Sequence, residues 1–368
     1  HRDERSRRIR LGMVGGGQDA FIGAVHRIAA RLDDNYVLVA GALSASAEKA
    51  VASGRALGLN EGRIYTSYME MAQSEAARPD GIEAVAIVTP NHLHFEIATA
   101  FLEQGIHVIC DKPLATSLEE AKVLAETVAR TGLVFALTHT YAGYPMVREA
   151  RQLIGDGALG DVRVVRVDYA QDWLAEPIEK TGQKQAAWRT DPAQAGAGGS
   201  IGDIGTHAFH LAGFVSGLRA TSVAADLSSF VAGRQVDDNA HILLRFERGA
   251  RGMIWASQVA VGNENALHLQ VYGTRGGLTW HQEEPNRLWF TPIGEPKRLI
   301  TRGGAGAGAA AHRVTRIPAG HPEGYLEAFA NLYTEVAQAI RAARTGEPSN
   351  PDGSYPTLRD GVRGMAFI

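Results

Sequence analysis

At 368 residues, 45% hydrophobic and 21% charged, the chain has the length for two domains and the apolar content to give each a core. A formal net charge of −3 argues against a nucleic-acid partner, and the densest basic run, Arg2 to Arg10, is interrupted by Asp3 and Glu4. No apolar stretch is long enough to span a bilayer, no signal-peptide core opens the chain, and a lone cysteine, Cys110, rules out an internal disulfide, so a cytoplasmic protein is expected.

Ile9 to Val14 reads as a short strand running into the turn Gly15-Gly16-Gly17-Gln18-Asp19-Ala20, after which Phe21 and Ile22 begin a helical pattern. Strand, glycine turn and helix form the context of a dinucleotide site: the glycines admit a pyrophosphate, and the helix N-terminus favours its charge. The third small residue of this G-x-G-x-x-A pattern is Ala20, or Gly23 if the loop is longer than usual. A second strand, Tyr36 to Leu43, leads to Ser44 and Ser46 with Lys49 nearby, where an NAD enzyme usually carries a carboxylate for the adenosine ribose. Without that carboxylate a 2′-phosphate is not repelled, and NAD and NADP both remain open.

Helices over Ala47–Leu57, Ser67–Ala77, Phe95–Gln104 and Leu118–Thr131 then alternate with strands over Ala84–Val88, His107–Cys110 and Val134–Leu137. Such alternation implies parallel pairing, with ligands at the C-terminal ends of the strands. Thr89-Pro90-Asn91-His92-Leu93-His94 and Asp111-Lys112-Pro113 both fall there. Lys112, fixed by Pro113, can turn its ammonium to a ligand to polarise an oxygen or share a proton, or can pair with Asp111 as a plain strand-end lysine. His92 and His94 fit turn and cap positions as well as site positions.

After Tyr144 the pattern changes. A helix over Met146–Leu153 precedes strands over Val162–Tyr169, Thr221–Phe230, Asn239–Phe246, Ala250–Val261 and Ala266–Tyr272, with few helices between them. The expected architecture is α/β. A doubly wound parallel Rossmann sheet occupies residues 1–144, and residues 145–368 form an α+β substrate and oligomerisation domain. The latter has a large, mostly antiparallel sheet open on one face. Gly303 to Ala311 reads as a mobile glycine/alanine loop, Tyr325 to about Ala343 as a long amphipathic helix, and the pattern from Thr357 as a final helix cut short at Ile368. Inside the second domain, Gly198-Gly199-Ser200-Ile201-Gly202-Asp203-Ile204-Gly205-Thr206-His207 brings an acid and an imidazole four residues apart, on one helix face. They are a proton-transfer pair, or a helix cap and a core histidine.

These motifs together resemble the glucose–fructose oxidoreductase/inositol dehydrogenase (Gfo/Idh/MocA) family over nearly the whole chain. The resemblance rests on the glycine turn, Thr89-Pro90-Asn91 with His94, Cys110-Asp111-Lys112-Pro113, and Gly199 through His207. It implies reversible hydride transfer between a nicotinamide, NAD or NADP, and a hydroxyl-bearing carbon of a sugar or cyclitol. Lys112 matches the lysine of the family's E-K-P motif, with Asp111 in place of the glutamate, and Asp203 and His207 match its D-x-x-x-H pair. In that reading His207 is the general base, Asp203 orients the substrate or the imidazole, and Lys112 stabilises the developing alkoxide. Gly15, Gly17, Ala20, Phe21, Ile22, Ser44, Thr89, Pro90, Asn91, His94, Asp111 and Lys112 would hold the cofactor. Tyr141, Tyr169, Trp173, Trp188 and Arg189 fall on segments that should line the substrate pocket, and no metal is expected. Two alternatives stand beside the dehydrogenase: an enzyme that retains its cofactor and oxidises a sugar transiently to epimerise or cleave it, and a non-enzymatic sensor. A homodimer or homotetramer follows from the family alone.

Overall fold

A computed structural model describes residues 7–18, 20–347 and 355–368. Asp19 of the glycine turn and the first residues of the Arg2–Arg10 run lie outside the described residues. No helix among the described residues is long and apolar enough to cross a membrane.

Five strands make the first sheet: β1 (Ile9–Gly15), β2 (Tyr36–Ala42), β3 (Ala84–Val88), β4 (His107–Cys110) and β5 (Phe135–Leu137). All pair in parallel, in the order β2-β1-β3-β4-β5, and Ile64 adds a single parallel bridge to Gly41 outside β2. With Ile64 standing in for a strand, this is the strand order of a dinucleotide-binding sheet, and it reverses between β1 and β3. Every residue of β3 is buried, as a strand covered on both faces must be. The intervening helices Ala47–Ala56, Tyr68–Ala76 and Leu118–Thr131 begin at Ser46, Ser67 and Ser117, whose side chains accept the N–H of Lys49, Glu70 and Glu120.

The second sheet has eight strands: β6 (Val162–Ala170), β7 (Ala220–Ser228), β8 (Asn239–Phe246), β9 (Arg251–Ser257), β10 (Ala266–Gly273), β11 (Gly276–His281), β12 (Arg287–Pro292) and β13 (Arg298–Thr301). Their order is β13-β12-β11-β10-β6-β9-β8-β7, antiparallel throughout except for β6 against β9. One face buries Val165, Val167, Leu267, Leu269 and Trp280 in a core shared with Met146, Val147, Ala208 and Leu211 of the helices Pro145–Gly155 and Thr206–Ser216. The other face stays open: β8 alternates buried Ile242 and Leu244 with exposed His241 and Leu243.

The domain boundaries differ from those expected. One compact unit comprises His1–Thr138 with Phe329–Met365, and the other His139–Ala328 with Ala366–Ile368. Residues 145–368 are therefore not one domain, because most of the long helix Tyr325–Thr345 belongs with the parallel sheet. Side-chain chemistry explains it. The Tyr36 hydroxyl donates to the Tyr333 carbonyl at 2.7 Å, their rings meet edge-on at 5.3 Å, and Arg341 donates to Asn35 Oδ1 at 2.8 Å. Thr357 then bridges Ala136 beyond β5, with Leu137 N–H donating to Pro356 O at 2.9 Å. The glycine/alanine loop also departs from expectation: Gly308 N–H donates to Glu149 at 2.7 Å, Ala310 N–H donates to Gln152 at 2.9 Å, and Ala309–Arg313 is helical. Two acceptors on one helix tie down a segment whose composition suggests mobility.

Candidate active site

In the first unit the glycine turn follows β1 directly. Gly15 has φ of +79°, which only glycine adopts freely, and a Cβ there would lie 2.8 Å from the Val88 carbonyl. A Cβ on Gly17 would meet the Leu43 carbonyl at 2.6 Å. The third glycine is Gly23: its Cα packs so tightly on the turn that a Cβ would stand 2.4 Å from the Gly16 Cα. Ala20, the expected third member, instead precedes the helix Phe21–Leu32 and gives it no side-chain cap. Without a side-chain cap from Ala20, the first turn of this helix can present its N–H groups to an anion, and Phe21 is exposed beside them. Ser44, past the end of β2, accepts the N–H of Ser46 at 3.2 Å. After β3, the buried Thr89 hydroxyl has no hydrogen-bond partner among the described residues, a polar atom awaiting a ligand. Glycine cradle, uncapped helix and orphaned hydroxyl together fit a dinucleotide.

His94 is completely buried, with Nδ1 2.7 Å from the Pro113 carbonyl and Nε2 2.9 Å from the Thr89 carbonyl. It clamps the loops carrying Pro90, Asn91 and Lys112, both of its ring nitrogens being taken by backbone carbonyls. Burial lowers its pKa, opposed by those two carbonyls and by Asp111. Asp111 likewise turns inward. His26 Nε2 lies 2.9 Å from its Oδ1, to which the Thr138 hydroxyl donates at 2.6 Å, and His26 Nδ1 sits 2.7 Å from the Tyr333 hydroxyl. Burial works to raise the Asp111 carboxyl, but the charge and hydrogen bond of His26 and the Thr138 hydroxyl outweigh it and hold it at about 2. This anchor sits immediately before Lys112 and fixes the backbone from which the lysine projects. His26 was not foreseen, because a histidine inside an amphipathic helix carries no local signal of its partner.

In the second unit, Ser200 to Ser216 runs as a continuous right-handed helix whose first part, Ile201–Gly205, is a π-turn. Such turns insert one extra residue and recur at functional sites. The turn carries Asp203, and His207 follows in the α-helical part. Asp203 is not the helix cap. Asp237 fills that role, accepting from Gly199 N–H at 2.7 Å, the Ser200 hydroxyl at 2.5 Å and Ile201 N–H at 2.8 Å. The Asp203 carboxylate instead accepts from Gln258 Nε2 at 2.8 Å, and Arg189 Nε stands 3.2 Å from the same oxygen as an ion pair without hydrogen-bond alignment. The Arg189 guanidinium lies over Trp188 at 4.1 Å and Trp173 at 5.8 Å.

Around His207 the second unit assembles amides and phenols. Tyr141 meets its ring edge-on at 4.9 Å, the Tyr141 and Tyr169 hydroxyls are 2.5 Å apart, and Tyr169 donates to Asn265 Oδ1 at 2.8 Å. Gln171 Nε2 donates to the same Oδ1 at 2.8 Å, while Gln258 Nε2 reaches Gln171 Oε1 at 3.4 Å. Burial raises both phenols, so they stay protonated as donors. Tyr141, Tyr169, Trp173, Trp188, Arg189, Asp203 and His207 are thus joined by one run of contacts through Asn265, Gln171 and Gln258. Gln171, Gln258, Asn265, Asp237 and His139 were missed. Gln171 and Gln258 each directly follow a strand, β6 and β9, and that placement was their one available signal. Among the described residues no group of three or more His, Cys, Asp or Glu side chains is arranged to hold a metal.

Residues 9–139 match the family model of an oxidoreductase family with an NAD-binding Rossmann fold, and residues 147–279 match that of the GFO/IDH/MocA C-terminal domain. The fold is similar to the crystal structure of an oxidoreductase from Sinorhizobium meliloti, at 58% identity and a TM-score of 0.89, covering 98% of this chain and 95% of that one. It is similar also to an inositol dehydrogenase homolog from Azotobacter vinelandii complexed with NADH and myo-inositol, at 38% identity and a TM-score of 0.91, covering 98% and 94%. An uncharacterized oxidoreductase of Bacillus subtilis is 34% identical over 99% of this chain and 93% of its own length. With an NAD-binding Rossmann sheet followed by the second domain these relatives share, the chain belongs to the Gfo/Idh/MocA family of oxidoreductases.

Proposed function

We propose that the protein reversibly oxidises a hydroxyl-bearing carbon of a sugar or cyclitol, with NAD as hydride acceptor. Bound NAD supplies the carbon that takes the hydride. His207 accepts the hydroxyl proton as general base, Asp203 orients the substrate or the imidazole, and Lys112 stabilises the charge developing on oxygen. The hydrogen on carbon leaves with the C–H electron pair as a hydride that the nicotinamide would take, the O–H proton goes to His207, and the O–H electron pair closes the carbonyl. Gly15, Gly17, Gly23, Thr89 and Asn91 hold the cofactor in this reading, and His94 and Asp111 hold the loops around it.

The observation that carries this proposal is the state of Asp203. Asp237 takes the capping role, and Asp203 lies on a surface of alternating donors and acceptors made by Gln258, Gln171, Asn265, Tyr169 and Tyr141. Two indoles, Trp173 and Trp188, against the Arg189 guanidinium complete a surface suited to a ring bearing several hydroxyls. The relative crystallised with NADH and myo-inositol supports the cyclitol class.

The test is nicotinamide reduction, followed by absorbance, with NAD⁺ or NADP⁺ and a panel of inositols, aldoses and glycosides. Turnover with one class, lost by orders of magnitude in Lys112→Ala and in His207→Ala, is expected. A panel without turnover, from protein that carries a nicotinamide through purification, would replace this reading with the retained-cofactor one. Undiminished turnover in the variants would refute the residue roles. We propose further that copies associate as a homodimer or homotetramer through the open face of the eight-stranded sheet.

A further inference from the structure

His139 directly follows Thr138 at the end of β5 and is buried, as are His207 and His210. Its Nδ1 lies 3.4 Å from Nδ1 of His207, the two rings crossing at 83° with centroids 5.3 Å apart. On its other side it stacks parallel on His210, at 4.3 Å and 4°. His210 and His207 sit three residues apart on one helix, so the His139 ring is held against two side chains of the same element.

Two buried nitrogens that face each other hold one proton between them. Two N–H groups facing each other at that distance would repel, and so would two facing lone pairs. The tautomers of His139 and His207 are therefore locked together. We propose that His139 is the positioning partner of His207: His139 Nδ1 accepts the Nδ1–H of His207, which puts the His207 lone pair on Nε2. Nε2 is then the atom that accepts the hydroxyl proton, a last clause that rests on the dehydrogenase reading. Once that proton arrives, the Nδ1–H donor belongs to an imidazolium and the bond to His139 becomes charge-assisted. A neutral imidazole thus does for His207 what a carboxylate does in a triad, without adding negative charge beside Asp203. Tyr141 and Tyr169 bring their rings against His207, His210 stacks on His139, and Asp203 precedes His207 by four residues on the same helix.

The test has two arms on the full-length protein. Long-range ¹H–¹⁵N correlation of the histidine rings, without substrate and at a pH where they are neutral, reads the tautomer directly, with His207→Gln assigning the signals. His207 is expected as the Nδ1–H form in the wild type and as the Nε2–H form in His139→Phe, which keeps the stack on His210 but offers no acceptor. In the second arm, His139→Phe lowers kcat on the order of 10²-fold at little-changed KM and shifts the acidic limb of the pH–rate profile. His139→Gln, whose amide carbonyl can accept the same N–H, restores much of the rate. An Nε2–H His207 in the wild type, or a tautomer and acidic limb that His139→Phe leaves unmoved, overturns the proposal. Absent turnover on every polyol fails the dehydrogenase reading alone, because the spectroscopic arm still decides the tautomer.

Discussion

Asp237 holds the start of the helix that presents Asp203: its two carboxylate oxygens gather the N–H of Gly199 at 2.7 Å, the Ser200 hydroxyl at 2.5 Å and the N–H of Ile201 at 2.8 Å. The strand-end segment that carries Asp237 also holds the loops around it. Neighbouring Asp238 accepts from the N–H of Phe230 at 2.9 Å and of Val231 at 3.0 Å, and pairs with a buried Arg234 that reaches Glu179 at 3.0 Å. Removing the Asp237 carboxylate leaves three donors to find water at a helix N-terminus. Asp237→Ala is expected to cost about 2 kcal/mol or more. It should also displace Asp203, so that kcat falls further than Tm alone accounts for. Asp237→Asn, which keeps one acceptor, should fall between. Thermal melts beside steady-state kinetics check the order, and an Asp237→Ala melt within a degree of wild type would refute it.

The close contact of Gly23 on Gly16 sets a second expectation. A methyl group at Gly23 has no room, with the Gly16 Cα at 2.4 Å and its carbonyl oxygen at 2.5 Å. Gly23→Ala should push the helix off the glycine turn and weaken NADH binding at least tenfold. Ala20→Ser adds a side-chain oxygen at a position that lacks a cap, and should leave folding intact. Titration of NADH fluorescence separates the two; equal affinity in Gly23→Ala would mean that Ala20 is the third member after all.

Acid should act on the protein through Asp111. Its carboxyl is held at about 2 in the folded chain, below the roughly 3.9 of an unperturbed aspartate. A folded pKa below the unfolded one contributes stability that is complete above about pH 4 and is lost as pH falls towards 2. The contribution is on the order of 2 kcal/mol. Asp111→Asn should therefore melt lower than wild type at neutral pH, with the gap narrowing between about pH 4 and pH 2. A gap that stays constant across that window would show that the pairing with His26 contributes nothing.

What could be read from the chain alone follows from how local each signal is. The parallel sheet announced itself through Ala84–Val88 and the helices that alternate with the strands, and the glycine turn and Lys112 lie within a few residues of strand ends. Asp203 and His207 are four positions apart and were legible as a pair. Their environment was not: Gln258 reaches Asp203 across 55 residues of sequence, Asp237 reaches Gly199 across 38 and Asn265 reaches Tyr141 across 124, and nothing near those residues marks the meeting. The return of Phe329–Met365 to the first unit was hidden for the same reason. The amphipathic pattern of Tyr325–Thr345 shows that it packs, not against which sheet. β11 to β13 were missed because Gly276–Thr301 is rich in glycine, proline and charge, which mask strand alternation.

The open sheet face gives the last prediction. Across it Leu243 pairs with Met253 between β8 and β9, and Tyr272 pairs with Val164 between β10 and β6, all four exposed, Leu243 at 61%. A hollow of about 470 Å³ lies between these strands, lined by Asp168, His241, Leu243, Met253 and Trp255. A sheet whose other face is a packed core, and whose free face is this apolar, is the kind of surface that a second copy covers. Self-association fits because the same patch can meet itself about a two-fold axis with strands crossing over strands. A charge placed on Leu243 must be desolvated if a second copy covers the patch, and that cost opposes association. Leu243→Asp, and more so Leu243→Asp with Met253→Asp, should shift the protein to a smaller species in light scattering while leaving NADH binding intact, since neither residue lies near the glycine turn in the chain. The same charge change on the exposed surface of the helix Leu118–Thr131, Val123→Asp, is the control, and should not alter the mass. If the sheet variants keep the wild-type mass at every concentration tried, copies meet elsewhere or not at all.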